Sequence, residues 1–366
     1  MKKKTIALLT ALLALALTAC AGGGPMPQLW LDSAPGTALT SVAYSPDGSR
    51  VAAGTSDGRV LVFGVDHMMV ESYAMESPVQ DGTRTIPHEV DVVAVTHDGQ
   101  YVMAVSTQMA LLNIWSRMGV EPEMHLIQGY GPISSNAISG FALNSELTVY
   151  AVAGSRDSII RIASLDASVE AEFTQAPRPI RALAFSPGGG NVVSVHESGG
   201  QKSSDVALWD LDGKLVRTFG RHRAFDGSEP HLSAVAPSAD GNFIATGDVN
   251  GGIAIWGING RKKADFSGPI PGDSISEPGN GIVSLAYSPS GAHVAAGTEY
   301  GDIILISLKG SEGPRRVAFA AHNPGSSVHV AFSPDGTRLA SVSEAEQHVK
   351  IWSIADITAY EMPKAE

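Results

Sequence analysis

Short apolar runs recur along the chain, and a turn sequence separates each run from the next. The first example is residues 42–44 (VAY), followed by 45–48 (SPDG) and then by 51–54 (VAAG). Proline suits the second position of a tight turn and glycine accepts the positive φ at its end, so the pattern predicts two strands joined by a turn. Both faces of these runs are apolar, which is typical of sheets that are covered on both sides.

The same pattern occurs seven times, and the turn positions lie 42 to 52 residues apart. The seven units begin at Thr40, Val90, Ile138, Ile180, Leu232, Ile282 and Val328. In six of them a third apolar run ends in a large side chain: Phe63, Trp115, Trp209, Trp256, Ile306 and Trp352. The remainder of each unit is long enough for a fourth, more variable strand and a connection.

Units of four strands that repeat every 40 to 50 residues indicate the blades of a β-propeller. We therefore predict an all-β fold, a seven-bladed propeller of four-stranded antiparallel blades, occupying residues 28–366 as one domain. Residues 28–31 (QLWL) precede the first unit and are predicted to close the ring as the outer strand of the last blade. Residues 357–362 could do the same, and the sequence does not choose between them.

These units resemble the WD-repeat family from Thr40 to Ile354. The resemblance implies a hydrogen-bonded set in a blade: an Asp six positions before the Trp that ends the third strand, a hydroxyl on the second strand and a His in a loop. We therefore predict that no repeat holds the full set, because Asp57 and Asp157, which have that spacing, belong to repeats without the Trp. The four repeats with Trp have other residues there: Met109, Ser203, Asn250 and Glu346. A partial set is expected in the last blade from His322 and Trp352 with Ser341 or Ser343.

The amino terminus has the composition of an export signal. Three lysines precede an apolar stretch from Ile6 to Ala19, which is shorter than the roughly 20 residues that span a bilayer. Residues 17–20 (LTAC) resemble the lipobox of bacterial lipoproteins, and the resemblance implies cleavage before Cys20 and attachment of diacylglycerol and an acylated amine there. Two or three acyl chains anchor a protein stably to a membrane. The predicted organisation is a signal peptide at 1–19 and a lipidated Cys with a flexible tether at 20–27; an uncleaved membrane anchor is the alternative.

The resemblance also implies a location in the cell envelope. Ala21 after the cysteine favours the periplasmic face of the outer membrane if the source is Gram-negative. Cys20 is the only cysteine, so intrachain disulfides are excluded. Without the three leader lysines, 22 basic residues face 37 acidic ones, a net charge of about −15 that argues against nucleic acid as a partner.

The search for catalytic chemistry finds no nucleophile elbow, and no catalytic residue, metal or cofactor is predicted. The richest polar cluster is His222, Arg223, Asp226, Glu229 and His231, but its spacing matches no standard metal site. We interpret Arg221, Arg223, Asp226 and Glu229 as candidates for contact on the upper face of the propeller.

Charge is predicted to divide between the two faces of the ring. The turns between third and fourth strands of blades four to six carry a basic sector, consisting of Lys214, Arg261, Lys262, Lys263 and Lys309. The opposite, upper face gathers carboxylates: Asp57, Glu89, Asp157, Asp226, Glu229, Asp273, Glu277 and Glu344. The basic sector is a candidate contact for anionic headgroups or an acidic partner, and ordinary surface charge is the alternative.

The sequence therefore favours a lipid-anchored, extracytoplasmic and monomeric propeller that binds another protein as a scaffold or adaptor. The protein partner is not identified by the sequence, and the membrane is reached through the lipid anchor. The alternative is a small-ligand-binding or hydrolase propeller, similar to lactonases, with its site at the central channel. Asp57, Asp157 and Asn250 are the candidates for such a site.

Overall fold

The computed structural model describes residues 24–33, 36–64, 69–78, 85–96, 99–116, 123–127, 137–144, 146, 148–155, 158–164, 169–173, 178–197, 205–222, 229–266, 280–309 and 313–360. The predictions made for the leader and for Cys20 lie outside these residues. So do those made for Asp157, Ser203, Arg223, Asp226, Asp273 and Glu277.

The described chain forms seven four-stranded antiparallel sheets and one additional hairpin. The first strand is β1 (Leu29–Asp32). Blade one has β2 (Leu39–Tyr44), β3 (Arg50–Thr55), β4 (Arg59–Gly64) and β5 (Met69–Ala74), and the hairpin of β6 (Glu76–Pro78) and β7 (Thr85–Pro87) follows it. Blade two has β8 (Val92–Val95), β9 (Tyr101–Ser106), β10 (Leu111–Ser116) and β11 (Glu123–Leu126). Blade three has β12 (Ile138–Leu143), β13 (Val149–Gly154), β14 (Ile160–Ser164) and β15 (Val169–Phe173).

The second half repeats the same order. Blade four has β16 (Ile180–Phe185), β17 (Asn191–His196), β18 (Val206–Asp210) and β19 (Leu215–Phe219). Blade five has β20 (Leu232–Pro237), β21 (Phe243–Asp248), β22 (Ile253–Gly257) and β23 (Lys262–Asp265). Blade six has β24 (Ile282–Tyr287), β25 (His293–Thr298), β26 (Asp302–Ser307) and β27 (Arg315–Ala320). Blade seven has β28 (Val328–Phe332), β29 (Arg338–Ser343) and β30 (His348–Ser353), followed by a helix, α1 (Ile354–Ala359).

This arrangement confirms the predicted seven-bladed propeller. The first strands of neighbouring blades lie side by side, as β28 does with β2 and β24, so the first strands line the axis and the fourth strands form the outer edge. Within a blade, the turns after the first and third strands share one face, which we call the lower face. The turns after the second strand and the connections between blades form the upper face.

The ring is closed by the amino-terminal candidate. β1 pairs antiparallel with β30, from Leu29 opposite Ile351 to Asp32 opposite His348. Residues 357–359 of the competing segment belong instead to α1, which Ser353 caps by accepting a hydrogen bond from Asp356 N at 3.2 Å. Arg315 donates to the carbonyls of Thr358 and Tyr360, each at 2.6 Å, and so holds the carboxyl-terminal end of the helix.

The hydrophobic core is divided among the interfaces between blades. Seven clusters of buried side chains occur in the described residues, one between each pair of neighbouring blades. The cluster between blades seven and one contains Leu31 of β1 and Ile351 of blade seven together with Val51 and Phe63 of blade one. Burial of apolar surface stabilises a blade only through its neighbours.

The lower-face turns are built as the sequence predicts. Gly48 has a φ of +70°, which a side chain at this position would strain. The hydroxyl of Ser45 donates to Asp47 at 2.6 Å and accepts from Arg50 N at 2.9 Å. Hydrogen bonds from Ser45 and Ser49 lower the pKa of Asp47 to about 2, so the carboxylate stays charged within its turn.

Leu31→Ala tests the closure of the ring. The side chain is almost fully buried between two blades, so its truncation should lower the free energy of unfolding by about 3 kcal/mol. Leu29→Ala in the same strand is the matched control, because Leu29 is half-buried and should lose less than half as much. Urea unfolding measures both. Equal losses would contradict the role of Leu31 at the closing interface.

Candidate functional site on the upper face

Hydrogen-bonded networks of buried side chains hold the upper face in place, and the network of blade five is the most complete. Trp256 Nε1 donates to the hydroxyl of Thr246 at 2.8 Å, and this hydroxyl lies 2.7 Å from His222 Nε2. His222 Nδ1 lies 2.6 Å from Asp248 Oδ2. The indole only donates and the carboxylate only accepts, so in the neutral imidazole Nδ1 carries the proton and the hydroxyl donates to Nε2. The chain of bonds fixes the connection that contains His222 to the turn that follows β21.

Blade seven repeats this network with a glutamate. Trp352 Nε1 and His322 Nε2 both lie 2.7 Å from the hydroxyl of Ser341, and His322 Nδ1 lies 2.9 Å from Glu346 Oε2. Lys350 adds an ion pair to Glu346 at 2.7 Å. Burial alone would raise the pKa of Glu346, but His322 and Lys350 outweigh it and lower the pKa to about 2. The carboxylate is therefore ionised inside the blade.

Blade four holds a variant in which a backbone carbonyl replaces the carboxylate. Trp209 Nε1 donates to Ser194 at 2.8 Å, Ser194 lies 2.8 Å from His196 Nε2, and His196 Nδ1 lies 3.0 Å from the carbonyl of Arg178. The histidine comes from the second strand here and not from a loop. Arg178 also pairs with the buried Asp205 at 2.9 Å, which ties the start of β16 to the start of β18.

The prediction that no repeat holds the full set is wrong for blade five. Asp248 lies eight positions before Trp256, not six, and it ends β21 instead of lying in the turn. Its side chain nevertheless reaches the histidine, because hydrogen bonding depends on where the carboxylate lies and not on its distance along the chain. The partial set predicted for blade seven forms through Ser341, and Glu346 completes it.

Two neighbouring turns on this rigid upper face present apolar side chains to solvent. Tyr300 is 53% exposed and Val249 is 37% exposed, and Glu299 is exposed beside them. We call these three residues the upper platform. A side chain at Gly281 would meet the Val249 carbonyl oxygen at 2.9 Å and the Glu299 carboxyl carbon at 3.0 Å, so the two turns approach each other around this glycine.

Hydrogen bonds hold both turns of the upper platform. Tyr300 N donates to Asn280 Oδ1 at 3.2 Å, while Asn280 Nδ2 donates to the buried Asp302 at 2.6 Å. In blade five, Val249 N donates to the carbonyl of His231 at 3.0 Å. The repeat pattern of the sequence did not predict the upper platform. The available signal was an apolar residue at Val249 and an aromatic one at Tyr300, in turns where the first repeat has Ser56 and Asp57.

The predicted upper-face carboxylates differ in the charges and hydrogen-bond donors that surround them. Burial raises the pKa of Glu89, and the charges of Asp91 and Glu344 add to the effect, so carboxylates of blades two and seven interact across the face. Asp57 instead pairs with Arg59 at 2.5 Å and accepts from Thr55 at 2.6 Å within its own turn.

The remaining predicted residues lie in the connection before blade five and in the basic sector. Arg221 and Glu229 form an ion pair at 3.5 Å, while His222 is taken up by the blade-five network. Lys214, Arg261, Lys262, Lys263 and Lys309 are all exposed and lie in or next to the segments that join third and fourth strands. Lys262 also pairs with Asp265 at 2.6 Å and covers the ring of Trp256.

Neither a metal site nor a membrane-spanning helix is found in the described part of the chain. Its His, Cys, Asp and Glu side chains nowhere come together in a group of three or more suited to a metal ion. Among the same residues, no helix has the length and hydropathy needed to cross a bilayer. Three residues were candidates for the alternative channel site. Asp57 forms an ion pair with Arg59, the backbone N of Asn250 donates to Asp248 at 2.8 Å, and Asp157 lies outside the described residues.

Comparison with known families agrees with this geometry. The model of the WD domain, G-beta repeat, matches residues 31–63, 213–257 and 314–353. Each matched segment contains the outer strand of one blade and the first three strands of the next, and two of them contain the Trp networks of blades five and seven. The protein is therefore a seven-bladed β-propeller, and three segments of it are similar to WD repeats.

Three relatives show how far the similarity extends. The chain is 30% identical over 154 residues to the WD repeat-containing protein SL1-17 of Schistosoma mansoni, which covers 42% of this chain and 45% of the relative. It is 22% identical over 259 residues to WD repeat-containing protein 1 of Xenopus tropicalis (71% and 38%) and 21% identical over 322 residues to Telomerase protein component 1 of Rattus norvegicus (86% and 11%). The chain spans less than half the length of each of these relatives.

Thr246→Val tests the blade-five network. The substitution keeps the shape of the side chain but removes the hydroxyl, so the buried indole N–H of Trp256 and Nε2 of His222 lose their partner. The free energy of unfolding should fall by about 2–3 kcal/mol. Thr218→Val on the exposed outer strand of blade four is the control and should change it by less than about 0.5 kcal/mol. A neutral Thr246→Val would contradict the network, with chemical denaturation as the measurement.

His196 should make stability depend on pH. Burial lowers the pKa of His196 to about 4, and the charge of Arg178 contributes. As the pH falls, the unfolded chain binds a proton first, because its histidine pKa is about 6.5. The free energy of unfolding is therefore highest above pH 6.5 and decreases as the pH falls towards 4. The loss between pH 7 and pH 5 should be about 2 kcal/mol, and His196→Gln should remove that part of the slope. An NMR titration of the His196 ring with a midpoint near 6.5 would show the prediction to be wrong.

Proposed function

We propose that the propeller is anchored to a bacterial cell envelope through a lipidated Cys20 and binds another protein with the upper platform. A WD-repeat propeller is consistent with a protein-binding scaffold, and no catalytic step is part of the proposal. The anchor is supported by residues 17–20 (LTAC), which end a leader of three lysines and an apolar stretch. The proposed location is the periplasmic side of the envelope.

The exposure of Tyr300 carries the binding proposal. Tyr300 has the highest exposed fraction among the large hydrophobic side chains of the described residues, and Tyr is enriched among the residues that dominate interface energies. The turn around Tyr300 is held by Asn280 and Asp302, so little conformational freedom is lost on binding.

The surroundings of the upper platform indicate the chemistry of the partner. Glu299 flanks Tyr300, and Glu344, Glu89 and Asp91 bring further negative charge to the same face. An apolar contact beside Glu299, on a face that carries further carboxylates, fits a protein that presents an apolar anchor with basic residues near it. The adaptor role follows, since one face binds the partner while the lipid holds the propeller to the membrane.

Site-specific photo-crosslinking in intact cells tests this function. A photoreactive phenylalanine at position 300 should give one discrete adduct with an envelope protein. Once that protein is purified, Tyr300→Ala should weaken its binding by about tenfold or more.

Position 101 is the matched control. Tyr101 is 42% exposed at the lower end of blade two, so a photoreactive residue there should give no such adduct and Tyr101→Ala should leave binding unchanged. Equal crosslinking from both positions, or equal loss of binding, would contradict the upper platform as the binding site.

A further inference from the structure

We infer that the lower outer margin of blades four to six binds the surface of an anionic bilayer, so that the propeller stands with its upper platform directed away from the membrane. The inference deepens the proposed function and rests on its lipid anchor. It is carried by three observations: the place where the chain leaves the propeller, the side chains exposed on the lower margin, and the distribution of charge.

The amino-terminal segment is held against the propeller up to Gly24. A Cβ on Gly24 would lie 3.1 Å from Phe319 Cβ, so the backbone here lies directly on the side chain of an outer-strand residue of blade six. Gln28 N donates to Ile351 O at 2.7 Å, and Gln28 Nε2 donates to Asp356 of α1 at 3.2 Å. The segment therefore lies on the outer margin of blades six and seven, beside the helix that follows the lower end of β30.

The distance from this point to the lipid is short. Cys20 precedes Gly24 by four residues, a span of at most about 14 Å when fully extended. Because the tether is so short, the propeller cannot rotate freely above a bilayer. The part of its surface next to the tether is therefore held close to the headgroups. The nearby surface includes α1, which follows the lower end of β30, and the outer strands of blades six and seven.

Blade four exposes apolar side chains on the same lower side. Leu211 and Leu215 are each 41% exposed and Val216 is 49% exposed, all within the turn and outer strand that follow β18. Arg217 pairs with Leu208 and Leu215 with Trp209 across the two strands, so Val216 is the extra residue of a β-bulge. A bulge turns an outer strand away from regular pairing, which makes the addition of a further strand unfavourable and leaves these side chains for another kind of contact.

Basic side chains surround this apolar group. Lys214 and Arg217 flank Leu215 and Val216 in the sequence, and in blade five Lys263 occupies the bulge position that corresponds to Val216. Arg261 lies in the preceding turn, and Lys309 lies in the corresponding segment of blade six. Apolar side chains among lysines and arginines form the combination that lies at the boundary between headgroups and acyl chains.

The acidic groups nearby reduce this charge without reversing it. Asp210 and Asp212 lie in the turn of blade four, and Asp265 pairs with Lys262. The five cations Lys214, Arg217, Arg261, Lys262 and Lys263 exceed these three anions, in a chain whose formal net charge is −12. The lower-face carboxylates of Asp47, Asp240 and Asp335 accept hydrogen bonds from their own turns. A local positive excess on an acidic protein complements an anionic membrane surface.

Depth-dependent quenching on the full lipidated chain tests the orientation. Because acylation occupies Cys20, a cysteine introduced elsewhere is the sole free thiol and takes a fluorophore selectively. Val216→Cys labels the lower margin and Tyr300→Cys labels the upper face. In vesicles of phosphatidylethanolamine and phosphatidylglycerol that contain a nitroxide lipid, the label at 216 should be quenched at least about fivefold more than the label at 300. Removing phosphatidylglycerol should reduce this difference.

Paired charge variants separate electrostatic binding from simple proximity. Lys214→Gln with Lys263→Gln should reduce quenching at 216 by about fivefold or more, since each basic residue near an anionic surface contributes to binding. Arg59→Gln with Arg181→Gln removes the same charge from exposed upper-face positions and should leave quenching unchanged. Thermal unfolding of all variants confirms that each is folded.

The outcomes distinguish this inference from the anchor itself. If Cys20→Ala releases the protein from membranes but the labels at 216 and 300 are quenched equally, the anchor stands and the orientation is wrong. If mass spectrometry finds no lipid on Cys20, the proposed anchoring is wrong. Quenching that does not depend on phosphatidylglycerol, or stronger quenching at 300, overturns the inference. So does a label at 216 that is quenched by no vesicle but protected by an acidic envelope protein.

Discussion

The structure depends on the closure of the ring by the pairing of β1 with β30. Every blade is a thin sheet with two apolar faces, and each of the seven core clusters is shared between two blades. An open array would leave one face of the first blade and one face of the last in water. The four residues of β1 prevent this by joining the beginning of the chain to its last blade, with Leu31 buried at the resulting interface. Stability is thus a property of the whole ring, because no blade holds a core of its own.

The buried polar networks have a different role from the core. Apolar contacts between blades do not fix the conformation of the upper-face loops, since a loop has little apolar surface to bury. His222 and His322 fix the positions of these loops, because each histidine lies in a connecting segment and hydrogen-bonds to a hydroxyl of a strand. A network of this kind is specific to one geometry, since every donor and acceptor in it is buried and must find its partner. The positions of Val249 and Tyr300 follow from this order.

The two faces of the ring have different chemistry. The upper face combines a rigid aromatic side chain with carboxylates, whereas the lower outer margin combines flexible lysines with exposed leucine and valine. The first combination suits a shaped protein surface, and the second suits a soft, anionic and partly apolar one. Under the proposed function, the upper face would bind the partner while the lower margin rests on the membrane.

The sequence alone determined the number of blades, the strands in each blade and the turns between them. These features depend on local chemistry, namely apolar runs of strand length and the proline and glycine of the turns. Such features can be recognised in each repeat separately, without knowledge of the rest of the fold. It also indicated that the basic side chains follow the third strands, because the order of strands places those turns on one face.

Tertiary structure decided what depends on the meeting of distant segments. It selected β1 over the carboxyl-terminal segment for ring closure, since Ser353 begins a helix there. It joined Asp248 to His222 across 26 residues, which no fixed spacing from Trp256 indicated. It also brought Val249 and Glu299 together around Gly281. In each case the deciding quantity is a distance in space between residues that are far apart in the chain, and the fold alone sets that distance.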